Sequence, residues 1–355
     1  ATGDAMNPMP TDPALLSAAE AVAALARGEL NSQALTAACL QRVAADGCNA
    51  WLHVDAEGAM EQARASDERR AKGRAHHPLD GIPVAIKDNI AVAGLPLTAG
   101  MLAYRGRVAD EDAHCVAKLR RAGAVILGKT HLCEGALGAD SDNSHYGRCL
   151  NPRVPGASAG GSSSGSAAAL AAHQCMLALG SDSMGSVRIP AAWCGVVGFK
   201  PSAARVSTRG LVTVSRRLDH IGPMARRVAD LSAIFQQISG LDLHDPASRL
   251  VPLAHVERDP AQLRVGVLGG LEPLGVETAV MAGFEQAIAR IAGLLPRRQS
   301  VSLADASLAR WRRAGFLLME AEMCQEHAEV LARRPASLSP ALRELLAFPA
   351  TRTAV

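Results

Sequence analysis

The chain has 355 residues and a mass of 36.9 kDa, long enough to bury a substantial core in one large domain or two ordinary ones. Hydrophobic residues make up 48% of the chain and charged residues 20%, a globular balance that excludes a disordered or fibrous protein. Lys and Arg outnumber Asp and Glu by only 37 to 34, so we expect no extended phosphate-binding surface and no direct nucleic-acid partner.

The eight cysteines show no CxxC pair and no regular spacing, a pattern typical of reduced, mostly buried thiols rather than of a zinc site. No apolar run reaches the ~18 residues of a membrane-spanning helix, and the polar start lacks the regions of a signal peptide. We therefore predict a cytoplasmic protein with no membrane partner. Residues 1–12 are interpreted as a disordered N-terminal segment or as residues added to the natural chain, ahead of a single domain over residues 13–355.

The first predicted elements are two helices. Asp12 is placed to cap the first helix, Pro13 fits its first turn, and a segment rich in alanine and leucine runs to Gly28. Asn31 or Ser32 caps the second helix, in which the apolar residues follow the helical spacing.

Short β-type runs alternate with helical segments along the rest of the chain. We predict strands over residues 82–86, 124–127, 176–179 and 263–267, and helices over residues 112–122 and 277–295. This alternation predicts an α/β domain with a mainly buried sheet.

A tract of only Gly, Ala and Ser occupies residues 156–166. Such a composition is often a flexible linker, but this tract leads directly into an apolar helix-forming run and then into a predicted strand. Glycine lets a backbone approach a ligand closely, and a Gly/Ser loop before a helix directs N–H groups and hydroxyls at one point. We therefore interpret the tract as part of a functional site.

Two other motif matches conflict with their surroundings. Residues 123–130, GAVILGKT, satisfy the P-loop pattern GxxxxGK[ST], but their variable positions form a strand-like run, whereas a phosphate loop follows a strand and curls around the phosphates. Ser163 fits the nucleophile elbow GxSxG of α/β-hydrolases, but residues 153–159 are not the hydrophobic strand that an elbow requires. We interpret the first match as a buried strand ending in a turn, and we favour a nucleophile other than Ser163.

A lysine at the end of a predicted strand suggests a base. The segment GIPVAIKDN delivers Lys87 directly after the strand over residues 82–86. A lysine in this position is usually a solvated terminus, but desolvation depresses a lysine pKa and makes the neutral amine a general base. Beside serines, such a base activates a hydroxyl without histidine, and none of the eleven histidines stands in a recognisable triad context.

At these residues the sequence resembles the amidase signature family, which are serine hydrolases with a Ser-Ser-Lys triad. GGSSSGSAAA at 160–169 resembles the family's Gly/Ser-rich signature, GSDSMGSVRIP at 180–190 its nucleophile segment, and GIPVAIKDN at 81–89 its lysine segment. GVVGFKPS at 195–202, LDHIGPMAR at 218–226 and GAVILGKT also match the family. The resemblance implies an α/β amidase-signature fold, with a mixed β-sheet core covered by helices on both faces.

The resemblance also implies the catalytic roles. Ser186 becomes the acyl-forming nucleophile, Ser162 the bridging serine, held in a cis peptide in family structures, and Lys87 the base. Neutral Lys87 takes a proton from Ser162, which takes one from Ser186, without metal or organic cofactor. The remaining implied residues are the backbone oxyanion-hole donors Ser183, Met184, Gly185 and Ser186, and the supporting residues Asp182 and Arg188.

Two departures from the family pattern affect the pocket and the chain length. Met184 and Ser164 stand where the family most often has glycine. A backbone donor survives any side chain, but a Cβ restricts φ and narrows the nearby space. Family chains usually continue beyond the position that matches Val355, so we expect the C-terminal end of the domain to be incomplete.

The leading functional hypothesis is an amidase that hydrolyses the C–N bond of a small carboxamide or urea-type compound. The alternatives are the amidase subunit of a glutamyl-tRNA amidotransferase, which transfers ammonia within a complex, and a catalytically inactive family member. The small net charge and Met184 favour the free hydrolase, whose expected partner is a small-molecule amide. A homodimer is left open, and the sequence does not identify the amide.

Overall fold

The structure, a computed structural model, describes residues 11–45, 47–250, 259–271, 274–302 and 307–351. The described residues fall into two compact units, one within Ala1–Val251 and Met319–Val355 and the other within Pro252–Leu318. Of the predicted N-terminal segment, residues 1–10 lie outside the described residues. The single domain predicted over residues 13–355 stays a prediction.

The first unit is built from helices around one sheet. Its strands are β1 (Trp51–Val54), β2 (Pro83–Lys87), β3 (Val125–Thr130), β4 (Leu177–Asp182), β5 (Val197–Gly198) and β6 (His220–Ala225). Its helices up to residue 250 are α1 (Ala18–Arg27), α2 (Ser32–Ala44), α3 (Ala56–Ala71), α4 (His114–Arg121), α5 (Ser164–Ala171), α6 (Arg188–Cys194) and α7 (Val228–Ile238).

The sheet is mixed, with the strand order β1-β3-β2-β4-β6-β5. β2 pairs in parallel with both β3 and β4, whereas β1, β5 and β6 pair antiparallel with their neighbours. Every residue of β2, β3 and β4 is buried, so both faces of the central strands are covered. Among the packed helices, α5 contacts all three of these strands. Helix α2 contacts β2, and helix α3 contacts β3. The predicted α/β fold with a mixed, buried sheet is confirmed.

The start of the chain differs from the single first helix predicted from Asp12. Asp12 caps only a 3-10 turn at Pro13–Leu15, and α1 begins after Ser17. The Ser17 hydroxyl accepts from the Glu20 N–H, and the Glu20 carboxylate accepts from the Ser17 N–H. This capping box satisfies two N–H groups that would otherwise lack partners, which is why the helix starts there. Asn31 caps α2, as predicted.

The strands predicted in the first unit are found, and each continues further at its C-terminal end. Those predicted over residues 82–86, 124–127 and 176–179 are β2, β3 and β4, and the helix predicted over residues 112–122 is α4. Because β2, β3 and β4 are parallel, their carboxyl ends meet at one edge of the sheet, the usual place for a site in such folds.

The second unit contains a small parallel sheet. Strands β7 (Val265–Gly269) and β8 (Arg298–Ser302) pair in parallel, and helix α8 (Thr278–Ile291) lies between them in sequence. They correspond to the strand predicted over residues 263–267 and the helix predicted over residues 277–295. Helix α9 (Leu308–Glu326) begins in this unit and ends in the first, which also contains α10 (Ala328–Arg333) and α11 (Pro340–Ala347).

No described helix is long and apolar enough to span a bilayer.

Candidate active site

Lys87 ends β2 with a fully buried side chain. Its Nζ lies 2.7 Å from the Ser162 Oγ and 2.9 Å from the Ser181 Oγ, and no carboxylate pairs with it among the described residues. Burial lowers the pKa of the Lys87 amine to about 7, although nearby acidic groups oppose this shift. A substantial fraction of the amine is therefore neutral near pH 7, as a general base requires.

The Gly/Ser tract forms a closely packed loop rather than a linker. Its C-terminal half is buried, and its Gly161–Ser162 peptide bond is cis. A Cβ on Gly161 would lie 2.0 Å from the Asp140 carbonyl oxygen, and a Cβ on Gly165 would lie 2.1 Å from the Ala50 carbonyl oxygen. Glycine is required at both positions because backbone atoms of neighbouring segments occupy the space of a side chain.

Ser186 lies in the loop between β4 and α6 and is partly exposed. Its carbonyl oxygen accepts a hydrogen bond of 3.0 Å from the N–H of Ser163, the residue next to Ser162. In the described part of the chain the Ser162 hydroxyl contacts Lys87 and makes no hydrogen bond with Ser186. Catalytic hydrogen bonds often tighten only when substrate is bound. The structure thus joins Lys87 to Ser162 and holds the backbone of Ser186 beside them.

The four predicted oxyanion donors differ in availability. The Gly185 N–H donates to the Asp182 Oδ1 at 2.7 Å. An N–H engaged by a carboxylate is not free for a substrate oxyanion in this arrangement, and the oxyanion role of Gly185 stays a prediction. The N–H groups of Ser183, Met184 and Ser186 donate to no acceptor within the described ranges. These three amides remain the candidate donors.

Asp182 holds this loop from the inside. Its side chain is fully buried and accepts from the N–H groups of Gly185 and Val187. The Arg188 guanidinium donates two further hydrogen bonds of 3.0 Å to the same carboxylate. Burial alone would raise the pKa of Asp182, but the hydrogen bonds from Arg188 and the backbone outweigh it and lower this pKa. The carboxylate stays charged and orders the turn that carries Ser186.

A cavity of about 900 Å³ has Asp219 in its wall. Asp219 lines it and accepts hydrogen bonds from the Ser183 Oγ and from two backbone N–H groups. Burial raises the pKa of the Asp219 carboxyl, although these hydrogen bonds act in the opposite direction. Lys87, Ser162 and Ser186 do not line the cavity. The link between the cavity and the loop of the candidate nucleophile is the hydrogen bond from Ser183 to Asp219.

Neither the P-loop match nor the nucleophile-elbow match has the local structure that such a motif requires. The P-loop match lies on β3, which pairs with β1 and β2, and Lys129 is fully buried, 3.2 Å from the Asp88 carboxylate. Residues 153–159, upstream of Ser163, contain no strand, and the Ser163 hydroxyl bonds to the backbone of Ser181. Both observations agree with the interpretations made from the sequence.

The departures at Ser164 and Met184 have different surroundings. The Ser164 Oγ lies 3.0 Å from the Nδ1 of His131, so a buried partner accommodates the added hydroxyl. Met184 is partly exposed on the loop.

Sequence reasoning missed two polar groups beside the lysine. The Ser181 Oγ accepts from the Lys87 Nζ, and the Asn89 Nδ2 donates to the same Ser181 oxygen at 2.9 Å. A usable signal was present, because Ser181 lies at the carboxyl end of β4 and Asn89 follows β2. Polar residues at the carboxyl ends of neighbouring parallel strands are expected to meet.

Six of the eight cysteines are buried, as predicted. Among the described residues, no group of three or more His, Cys, Asp or Glu side chains is arranged to hold a metal ion.

Comparisons with known proteins agree with the motifs. The family model described as Amidase matches residues 34–339. A glutamyl-tRNA(Gln) amidotransferase subunit from Chloroflexus aggregans is 42% identical over 308 residues, which cover 82% of this chain and 60% of that protein. The chain therefore spans about 60% of the length of this curated relative.

Solved structures also match. The peptide amidase of Stenotrophomonas maltophilia gives a TM-score of 0.82 at 32% identity, covering 97% of this chain and 77% of that one. A chain from a complex described as revealing the origins of an s-triazine catabolic enzyme gives a TM-score of 0.88 at 34% identity, covering 95% of this chain and 74% of that one. With the family model covering most of its length, the chain belongs to the amidase signature family.

Proposed function

We propose that this chain cleaves the C–N bond of a carboxamide through an acyl-enzyme on Ser186, with Ser162 as the bridging serine and Lys87 as the base. One observation carries the proposal: a fully buried lysine amine, 2.7 Å from the Ser162 hydroxyl, has a pKa of about 7. Burying the charged amine without a carboxylate partner costs free energy of folding. A lysine kept in such a place, with a lowered pKa, is therefore a candidate for a functional role.

The proposed steps balance in protons. Neutral Lys87 accepts the proton of Ser162, Ser162 accepts the proton of Ser186, and the Ser186 Oγ attacks the amide carbonyl carbon. The resulting oxyanion is stabilised by the backbone N–H groups of Ser183, Met184 and Ser186. Return of the proton through Ser162 to the amide nitrogen breaks the C–N bond and releases the amine or ammonia. Water, activated by the same base, then hydrolyses the acyl-enzyme.

The curated relatives favour an amidotransferase subunit over a free amide hydrolase. Several curated relatives are named as subunits of glutamyl-tRNA(Gln) amidotransferase, which supports the alternative weighed from the sequence rather than the free hydrolase preferred there. We therefore propose first that the chain carries the amidase activity of such an amidotransferase. It would release ammonia from an amide donor such as glutamine, and it would act with partner proteins.

A free amidase is the second candidate. The structural likeness to the peptide amidase of Stenotrophomonas maltophilia supports it, since that protein is named for its own amide hydrolysis. Both candidates need the same acyl-enzyme and differ in the amide and in the need for partners.

The test separates the chemistry from the substrate. The intact mass of the chain is measured after incubation with a fluorophosphonate, with Ser186→Ala alongside. We expect one adduct that the variant loses, because the reagent reacts with an activated serine. A folded wild-type chain that forms no adduct, or an adduct that persists in Ser186→Ala, would contradict the proposal.

Ammonia release from glutamine is then compared with release from small carboxamides, with Ser186→Ala as the blank. Release from glutamine that depends on added amidotransferase partner proteins supports the first candidate. Release from simple carboxamides by the chain alone supports the second.

A further inference from the structure

Three buried polar groups stand in line behind the bridging serine. The Lys87 Nζ contacts the Ser162 Oγ on one side and the Ser181 Oγ, at 2.9 Å, on the other. The Asn89 Nδ2 donates to that same Ser181 oxygen at 2.9 Å. Lys87, Asn89 and Ser181 are 0%, 1% and 4% exposed, so water does not compete freely for these hydrogen bonds.

The hydrogen bond between Ser181 and Lys87 sets the direction of the Lys87 amine lone pair. Its oxygen has two lone pairs and one hydrogen. If that hydrogen pointed at Lys87, it would occupy the amine lone pair that Ser162 has to use. The Asn89 NH₂ group donates to one lone pair and a Lys87 N–H donates to the other, so both acceptor positions of the Ser181 oxygen are filled and its hydrogen points at neither nitrogen. A Lys87 N–H then donates to Ser181, and the lone pair of the neutral amine is left for Ser162.

The backbone around Asn89 fixes its position. Its carbonyl oxygen accepts from the Val212 N–H at 2.8 Å, and the Ile90 N–H donates to the Lys87 carbonyl at 2.9 Å in the turn after β2. The Asn89 Oδ1 is buried and has no partner in the described part of the chain. The hydrogen bond to Ser181 is therefore the main polar contact of this side chain.

We infer that Asn89 is a positioning residue for the Lys87 base: it fixes the Ser181 hydroxyl, and Ser181 in turn fixes the amine with its lone pair toward Ser162. The inference rests on the proposed function and deepens it. It also explains why a neutral amide, and not a carboxylate, stands at this position.

A carboxylate there would change the charge balance around the amine. The titratable groups whose charges act on the Lys87 amine are Cys133, Asp182 and Asp219. None of them hydrogen-bonds to the Lys87 Nζ among the described residues. Asn89→Asp would add a negative charge one hydroxyl away from the amine, which stabilises the ammonium form and raises its pKa.

The test follows the pH dependence of Ser186 labelling. The second-order rate constant for the fluorophosphonate is measured between pH 5 and 10, values chosen to bracket the Lys87 pKa of about 7. Because only the neutral amine acts as base, the wild-type rate is expected to rise with pH through about 7. For Asn89→Asp the midpoint is expected to move up by about one pH unit or more.

A matched control is Asn151→Asp. Asn151 is 5% exposed and donates to the Trp193 carbonyl oxygen at 2.8 Å, so this variant also places a carboxylate where a buried amide stood. Its labelling midpoint is expected to match the wild type. An unshifted midpoint in folded Asn89→Asp, with normal wild-type labelling, would overturn the inference alone. Absence of Ser186 labelling in the folded wild type would overturn the proposed function, and the inference with it.

A double-mutant cycle covers the case in which Asn89→Asp does not fold. Asn89→Leu keeps the side-chain size and removes the amide, and we expect labelling to slow about 10- to 100-fold through misplacement of the base. Because Asn89 acts through Ser181, adding Asn89→Leu to Ser181→Ala is expected to slow labelling little further. Losses that multiply in the double variant would show that Asn89 acts by another route.

Discussion

Two buried lysines end adjacent parallel strands, and their surroundings assign them opposite roles. Lys87 closes β2 and Lys129 lies near the end of β3, and in the sheet Lys129 is opposite Ile86. Both side chains are 0% exposed. Lys129 lies 3.2 Å from the Asp88 carboxylate and donates to the Pro96 carbonyl oxygen at 2.7 Å.

The Lys87 amine, by contrast, hydrogen-bonds within the described ranges only to uncharged oxygen atoms. These are the hydroxyls of Ser162 and Ser181 and the more distant carbonyl of Ser181. Burial lowers the pKa of both amines, but at Lys129 the Asp88 carboxylate opposes the shift directly. Equal burial thus yields a structural ion pair where a carboxylate is in contact, and a candidate base where it is not.

Of the changes that test the different roles of the two lysines, removal of the Lys87 amine is expected to have the largest effect. We expect Lys87→Met to lower the rate of Ser186 labelling by about 10²- to 10⁴-fold, the usual contribution of a positioned base. Methionine keeps most of the volume, and the amine it removes has no ionic partner, so the melting temperature should stay near the wild-type value or rise. The measurements are fluorophosphonate labelling kinetics and a thermal melt.

Lys129→Met is the matched variant on the neighbouring strand. If it slowed labelling as much as Lys87→Met while remaining folded, the assignment of different roles to the two lysines would be wrong. Labelling at the wild-type rate by Lys87→Met would remove Lys87 from the proposed triad.

The contrast between the lysines was only partly predictable from the sequence. The segment around Lys87 and the Gly/Ser tract carry local motifs, and both could be assigned without knowing their contacts. The hydrogen bond from Asn89 to Ser181 joins residues 92 positions apart and depends on β2 and β4 being neighbours. Likewise, Asp182 engages the Gly185 N–H because the loop after β4 folds back on the strand end, which residue spacing does not specify.

The start of α1 also could not be predicted from the sequence alone. Asp12 and Ser17 are both suitable caps, and the sequence pointed to the first. The reciprocal bonds between Ser17 and Glu20 satisfy two N–H groups instead of one, so the α-helix begins at the second. Competition between neighbouring caps is decided by the number of groups each one satisfies.

Breaking the ion pair between Lys129 and Asp88 tests whether Lys129 has a structural role, and the free energy of unfolding is the quantity measured. Lys129→Met leaves the buried Asp88 carboxylate without its counter-charge, and we expect the free energy of unfolding to fall by about 3–5 kcal/mol. Adding Asp88→Asn removes the uncompensated charge and is expected to restore part of this loss. Chemical denaturation of the wild type and both variants measures the effect. Equal stability of the wild type and Lys129→Met would show that the pair is not a structural one.

The smallest expected effect concerns the same lysine in its apparent P-loop. Residues 125–130 are paired in the sheet with β1 and β2, so their N–H groups cannot gather around a phosphate, and the Lys129 amine is buried. Millimolar ATP with magnesium is therefore expected to leave the melting temperature unchanged. A nucleotide present at 100 times its dissociation constant would stabilise the chain by about 2.7 kcal/mol, an effect that a thermal melt resolves easily. Such a shift in the wild type, absent from Lys129→Met, would make Lys129 a phosphate ligand and would end its interpretation as a structural partner of Asp88.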